Sequence, residues 1–191
     1  AVCRELHACR PFRDDFNMFR VQERYVEIVQ RRGLRLPDRY LEFASKVRAM
    51  ERAMAVRDEG LAPCNNDLLA ENFIWTGERF RLIDYEYSGN NDPMFELGNT
   101  WTECQLDPEH LDELVTAYVG HHSAVKNART RLQSIVSQYG WSLWGYIQAA
   151  TNDYDFDFYG WGQDRFEGAV DDFRSPGFAR LLDAAAGEES S

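Results

Sequence analysis

Apolar residues recur at helical spacing over most of the chain. In residues 18–32, Phe19, Tyr25, Ile28 and Val29 share one face and the run stops at Gly33, which predicts an amphipathic helix. After Pro37, residues 38–58 carry Tyr40, Leu41, Phe43, Ala44, Val47, Met50 and Met54 in a second such pattern. The texture then changes. Residues 60–66 read as a loop, and two short apolar runs follow, Phe73-Ile74-Trp75 and Phe80-Arg81-Leu82-Ile83. Thr76-Gly77-Glu78-Arg79 between them reads as a hairpin turn. Helical spacing resumes after Pro93 and near 107–120, 124–150, 161–173 and 177–186. Asp92-Pro93 reads as the N-cap and first position of its helix. Residues 188–191 read as a disordered tail. The expected fold class is mainly α with one small β-hairpin, in a single unit without internal repeats.

Composition narrows the partners. The 191 residues carry 21 Lys+Arg against 32 Asp+Glu, a formal net charge of −11. An acid excess argues against a phosphate-tracking nucleic-acid binder and favours a cationic small molecule. At 44% hydrophobic and 14% aromatic, the chain is too apolar to be disordered. No apolar run reaches the eighteen or so residues of a membrane span. The first residues lack the charged and apolar segments of a signal peptide, and they lack an initiating Met, so the chain is expected to begin inside a longer polypeptide. Cys3, Cys9, Cys64 and Cys104 form no C-x-x-C pair, which points to reduced thiols and a cytoplasmic setting. His121 and His122 are adjacent and read as surface residues.

The candidate chemistry lies in residues 63–99. Asp67 precedes Asn72 by five positions on a loop leading into a strand, and Asp84 closes the second strand of the hairpin. Phosphoryl transfer to an alcohol needs a carboxylate to orient the hydroxyl and take its proton, the role expected of Asp67. It also needs hard oxygen ligands for Mg²⁺ on the ATP phosphates, the role expected of Asn72 and Asp84. The alternative is a hairpin whose polar flanks merely cap it.

The order Asp-Leu-x-x-x-Asn, hairpin, Ile-Asp is similar to the catalytic and metal loops of protein-kinase-like phosphotransferases. More closely, the chain resembles the choline/ethanolamine kinase branch of the aminoglycoside-phosphotransferase-like superfamily. The resemblance rests on Asp67-Leu68 through Asn72 and on Ile83-Asp84-Tyr85-Glu86-Tyr87. It extends back to Leu6-His7-Ala8 and forward through Gly98–Glu103, Trp141–Ala149 and Gly160–Phe166, covering nearly the whole chain.

By that resemblance, Trp141, Trp144 and Trp161 match aromatic positions of a choline pocket, and Glu86 matches the acid beside the metal loop. An ammonium needs π faces and a carboxylate, which suits this set. The plainer reading of two tryptophans three apart is helix core. Glu103 is a further candidate acid, equally readable as surface, and Asp153, Asp155 and Asp157 are readable as a second acidic wall or a solvated loop.

Two departures stand out. Asn65 occupies the place of a family histidine that braces the loop. The chain also lacks a G-x-G-x-x-G turn, and its two lysines are misplaced for ATP: Lys46 falls inside a helix and Lys126 far beyond the loops. Residues 1–187 are therefore expected to be the C-terminal, catalytic and substrate-binding lobe of a protein-kinase-like fold. The N-terminal ATP lobe is expected to lie outside the chain, leaving the piece alone inactive. The implied activity is ATP- and Mg²⁺-dependent phosphorylation of choline or ethanolamine. Alternatives are an aminoglycoside, thiamine or other amino-alcohol kinase, or an inactive binding pseudokinase.

Overall fold

The computed structural model describes residues 1–57 and 60–187; the tail expected at 188–191 lies outside the described residues. Among the described residues, eight α-helices and four short strands follow in the order α1 (Val2–His7), α2 (Met18–Arg32), α3 (Ala44–Ala55), β1 (Ala62–Cys64), β2 (Phe73–Trp75), β3 (Phe80–Leu82), β4 (Gly89–Asn91), α4 (Pro93–Glu103), α5 (His110–Val119), α6 (Ala124–Thr151), α7 (Phe158–Arg174) and α8 (Phe178–Ala186). The mostly helical fold expected from the sequence is the one found.

Local chemistry sets most boundaries. Asn17 caps α2 by accepting from the N–H groups of Phe19 and Arg20, and Gly33 ends it at φ 63°, a left-handed conformation that suits glycine. Asp92 caps α4 through the Met94 N–H, with Pro93 at the first turn. Its other oxygen accepts from the buried Arg129 side chain at 2.5 Å.

Three boundaries differ from expectation. The helix expected over 38–58 is a 3₁₀ turn at Tyr40–Phe43 before α3 begins at Ala44. Tyr40 explains the tighter start: it is 1% exposed and stacks on Tyr139 at 4.0 Å. Each of these hydroxyls donates to the other residue's carbonyl oxygen. Helix α7 begins at Phe158 rather than 161, because Asp157 accepts from the Gly160 N–H and caps it earlier. Residues 62–64, expected as loop, are strand β1, paired antiparallel with β4. The hairpin β2–β3 is as expected, with Phe73 opposite Leu82 and Gly77 at φ 93° in its turn.

Helix α6 is the axis of the fold, packed against α2, α4, α7 and α8. Leu132, Ile135, Tyr139 and Leu143 from it join Phe43, Met50, Phe166 and Phe173 in the main core. Two glycine contacts set the distances between helices. A Cβ at Gly98 would lie 2.6 Å from the Thr130 carbonyl oxygen, fixing α4 against α6. A Cβ at Gly145 would lie 2.8 Å from both Gly162 Cα and the Phe158 carbonyl oxygen, so α6 and α7 cross almost backbone to backbone. That crossing carries the aromatic side chains described next.

Candidate active site

The loop between β1 and β2 is tied down from three sides. Asn65 is fully buried; its amide donates to the carbonyl oxygens of Ile83 and Asp84 at 3.2 and 2.6 Å. Its side-chain oxygen accepts from the Asp67 N–H at 3.0 Å. The residue standing in the histidine position therefore joins the Asp67 loop directly to the Asp84 loop. Asn66, at φ 70°, donates to the Tyr87 carbonyl oxygen at 3.0 Å and accepts from Asn91 at 2.9 Å. Beneath both lies Glu96 from α4, fully buried, whose two oxygens accept from the N–H groups of Asn65 and Asn66 at 3.1 and 2.7 Å. His7 of α1 stands 3.5 Å from the same carboxylate.

This scaffold brings the expected residues together. The Ile83 N–H donates to the Asn72 carbonyl oxygen at 3.1 Å, setting Asn72 beside the start of the Asp84 loop. Asn72 is buried, and its amide N–H donates to the Asp67 carbonyl oxygen at 2.8 Å. Its side-chain oxygen is thereby turned away from that contact. Asp84 sits at φ 57°, a left-handed conformation that costs energy outside glycine and collects at functional sites. An amide oxygen and a carboxylate form a hard donor pair, and Mg²⁺ commonly takes one or two protein oxygens with phosphates and water completing its shell. The residues present fit that ion.

Asp67, Asp84, Glu86, Trp141, Trp144 and Trp161 line one cavity of about 340 Å³. Asn72 is not part of that lining; it reaches the site through its bond to the Asp67 carbonyl oxygen. Trp144 meets Trp161 edge to face at 5.5 Å, and Trp141 meets Tyr87 edge to face at 4.9 Å. Trp141 is 4% exposed and its indole N–H donates to Asn99, so this residue is core and cavity floor at once. The plain core reading of the tryptophan pair thus holds for Trp141, while Trp144 is half-buried, packed against the core and lining the cavity.

Burial in this cavity pushes the Asp67 carboxyl up to about 7, with Glu103, Glu86 and Asp84 adding negative charge in the same direction. A carboxyl poised there exchanges protons near neutrality. Any cation entering the cavity opposes both causes and favours the carboxylate.

Several lining residues were not singled out as site residues. Leu69, Tyr87, Phe156 and Phe158 complete the walls. In the 153–157 segment only Phe156 lines the cavity: Asp153, Tyr154 and Asp155 are exposed and Asp157 is a helix cap. Glu103, a candidate acid equally readable as surface, lines the cavity with a side chain only 2% exposed. Its burial pushes its pKa up, against the opposing pull of Arg165. Glu96 and Asn66 gave no sequence signal beyond their types, because the partners that tie them into the scaffold lie 21 to 31 residues away.

The choline/ethanolamine kinase family model matches residues 10–127, more than half of the chain. The chain belongs to the choline/ethanolamine kinase family. Among curated relatives, Protein LicA of Haemophilus influenzae is 33% identical over 95 residues, covering 46% of this chain and 28% of the relative. A choline/ethanolamine kinase family protein from Mesorhizobium loti superposes with a TM-score of 0.88 at 31% identity, covering 96% of this chain and 64% of that one. The choline kinase LicA from Streptococcus pneumoniae gives 0.73 at 26% identity, covering 93% and 61%. A LicA structure in complex with AMP gives 0.70 at 25% identity, covering 94% and 60%. The chain spans 28% to 42% of the length of the curated relatives. Among the described residues, no helix is long and apolar enough to cross a membrane.

Proposed function

We propose that residues 1–187 are the catalytic and substrate-binding lobe of a cytoplasmic, ATP-dependent kinase that phosphorylates the hydroxyl of choline or ethanolamine. The observation that carries this reading is the joining of Asp67, an aromatic box and three further acids in one cavity. The ammonium rests against Trp141, Trp144, Trp161 and Tyr87, held by π faces and nearby carboxylates. Its hydroxyl lies two carbons away, within reach of Asp67. Asp67 orients that hydroxyl and takes its proton as the oxygen forms a bond to the γ-phosphorus. The bond from that phosphorus to the β-bridging oxygen breaks, and ADP leaves.

Asn72 and Asp84 would hold Mg²⁺, which supplies positive charge against the phosphate oxygens when bound. The AMP complex of the related LicA supports nucleotide use by this fold. A second lobe, carrying the glycine-rich turn and a strand lysine, is needed to cover the ATP phosphates. The bonds made by Asn65 supply the bracing that the loop needs, which speaks against an inactive pseudokinase. A cavity of about 340 Å³ suits a small head group better than a polycationic aminoglycoside.

The test is ADP release from the polypeptide as encoded, including whatever sequence precedes Ala1, with ATP and Mg²⁺. Choline or ethanolamine should stimulate release, and thiamine or an aminoglycoside should not. Release indifferent to all four acceptors overturns the assignment.

A further inference from the structure

Beneath the Asn65–Asn66 turn, three metal-ligating side chains from three elements converge: His7 of α1, Cys64 of β1 and Glu96 of α4. Their ligand atoms all lie within 4.8 Å of one another. The side chains of His7 and Glu96 are 5% and 0% exposed, and Cys64 is fully buried. His7 Nε2 stands 3.5 Å from both Cys64 Sγ and Glu96 Oε1. To the carboxylate, that separation is long for an N–H···O hydrogen bond. Both separations match the edge of a tetrahedron around a zinc ion, about 3.4–3.6 Å for bonds of about 2.0–2.3 Å to nitrogen, oxygen and sulfur. Across the imidazole ring, His7 Nδ1 lies 2.8 Å from the Tyr118 hydroxyl. The tautomer that donates from Nδ1 to that oxygen leaves the Nε2 lone pair for Cys64 and Glu96, the arrangement that orients zinc-binding histidines.

We propose that His7 Nε2, Cys64 Sγ and Glu96 Oε1 form a zinc site that staples α1, β1 and α4 under the Asp67 loop, with water as the fourth ligand. Cys64 loses its thiol proton to solvent as the sulfur–zinc bond forms. Thiolate and carboxylate together then neutralise the ion, which suits a buried place. Burial, with the Glu96 and Asp92 carboxylates adding to it, pushes the Cys64 thiol up. An entering divalent cation opposes each of these causes. Glu96 Oε1 accepts the Asn65 N–H at 3.1 Å, and a carboxylate oxygen has a second lone pair to give the ion, so the loop keeps its anchor. His7 also lines a second cavity, of about 490 Å³, with Asp92, Met94 and Tyr118, which gives the ion and its water a way in. His7 and Cys64 are 57 positions apart, so no zinc-finger spacing marks the set in the sequence.

The test is titration of the polypeptide as encoded, freed of metal by a chelator, with Co²⁺ and then Zn²⁺. Co²⁺ should bring up a near-ultraviolet thiolate charge-transfer band and the intense visible bands of tetrahedral coordination, and an equivalent of Zn²⁺ should bleach both. Asn72 and Asp84 offer only oxygen, so an ion held there gives no thiolate band. Cys64→Ser should abolish that band, and Cys104→Ser should leave it unchanged. His7→Ala should weaken Zn²⁺ binding at least about a hundredfold, and Tyr118→Phe, which keeps all three ligands, about tenfold. Absence of the thiolate band from the unaltered protein overturns the inference whatever the variants do. So does a band that survives in Cys64→Ser, or Zn²⁺ affinity unmoved by His7→Ala. The kinase reading stands or falls separately.

Discussion

Asp67→Asn should make the protein more stable at pH 8 than the parent, and this excess should vanish in acid. The Asp67 carboxyl moves from an ordinary 3.8 to about 7 on folding. The native state therefore holds a proton that the unfolded chain has released between about pH 4 and 7. Stability falls as pH rises through that window, is unpenalised below it, and carries a constant penalty above it. At 1.36 kcal/mol per pH unit, a rise of about three units sets an upper bound of about 4 kcal/mol. The cavity opens to solvent and Asp67 is only half-buried, so screening reduces this to about 1–2 kcal/mol. The asparagine removes the titration without removing a hydrogen bond, since the Asp67 carboxylate makes none among the described residues. Urea unfolding of both proteins at half-unit intervals from pH 4.5 to 8 measures the difference directly. A difference that is flat across this range, or that grows toward acid, refutes the argument that Asp67 is held up by burial and neighbouring acids.

Glu96→Gln leaves only one acceptor for the two N–H groups of Asn65 and Asn66, with an amide facing the other. It should cost about 2–4 kcal/mol in urea unfolding and abolish turnover, whereas loss of neither would show the loop to be held by other means. Gly145→Ala drives a Cβ into Gly162 and the Phe158 carbonyl. Separating α6 from α7 should cost about 1–3 kcal/mol and weaken ammonium binding more than tenfold, read by calorimetry; unchanged affinity would mean that the crossing does not set the Trp144–Trp161 spacing.

Much of this was legible because it is local. The 3.6-residue period located every long helix, and the Thr76–Arg79 turn between two apolar triplets located the hairpin. The order of Asp67, Asn72 and Asp84 named residues that the scaffold ties together, with Asn72 outside the cavity lining. What escaped was long-range. Strand β1 is defined only by its partner at 89–91, and Ala-Pro-Cys has no period of its own. Glu96 looks like any acid in the first turn of a helix until two distant N–H groups are seen to point at it. Glu103, a candidate acid equally readable as surface, is decided only when α7 brings Arg165 against it, 62 positions later. The 153–157 alternation carried no usable signal: only Phe156 of that segment reaches the cavity wall, and Tyr154 is exposed like the acids beside it.

The most direct test of the account is phosphorus-31 NMR of ATP and Mg²⁺ with choline or ethanolamine and the polypeptide as encoded. The account predicts a growing resonance of the phosphorylated alcohol that matches loss of the γ-phosphate, and no such resonance with Asp67→Asn. Formation of the same product at an undiminished rate by Asp67→Asn would contradict it, as would appearance of inorganic phosphate alone whatever the acceptor.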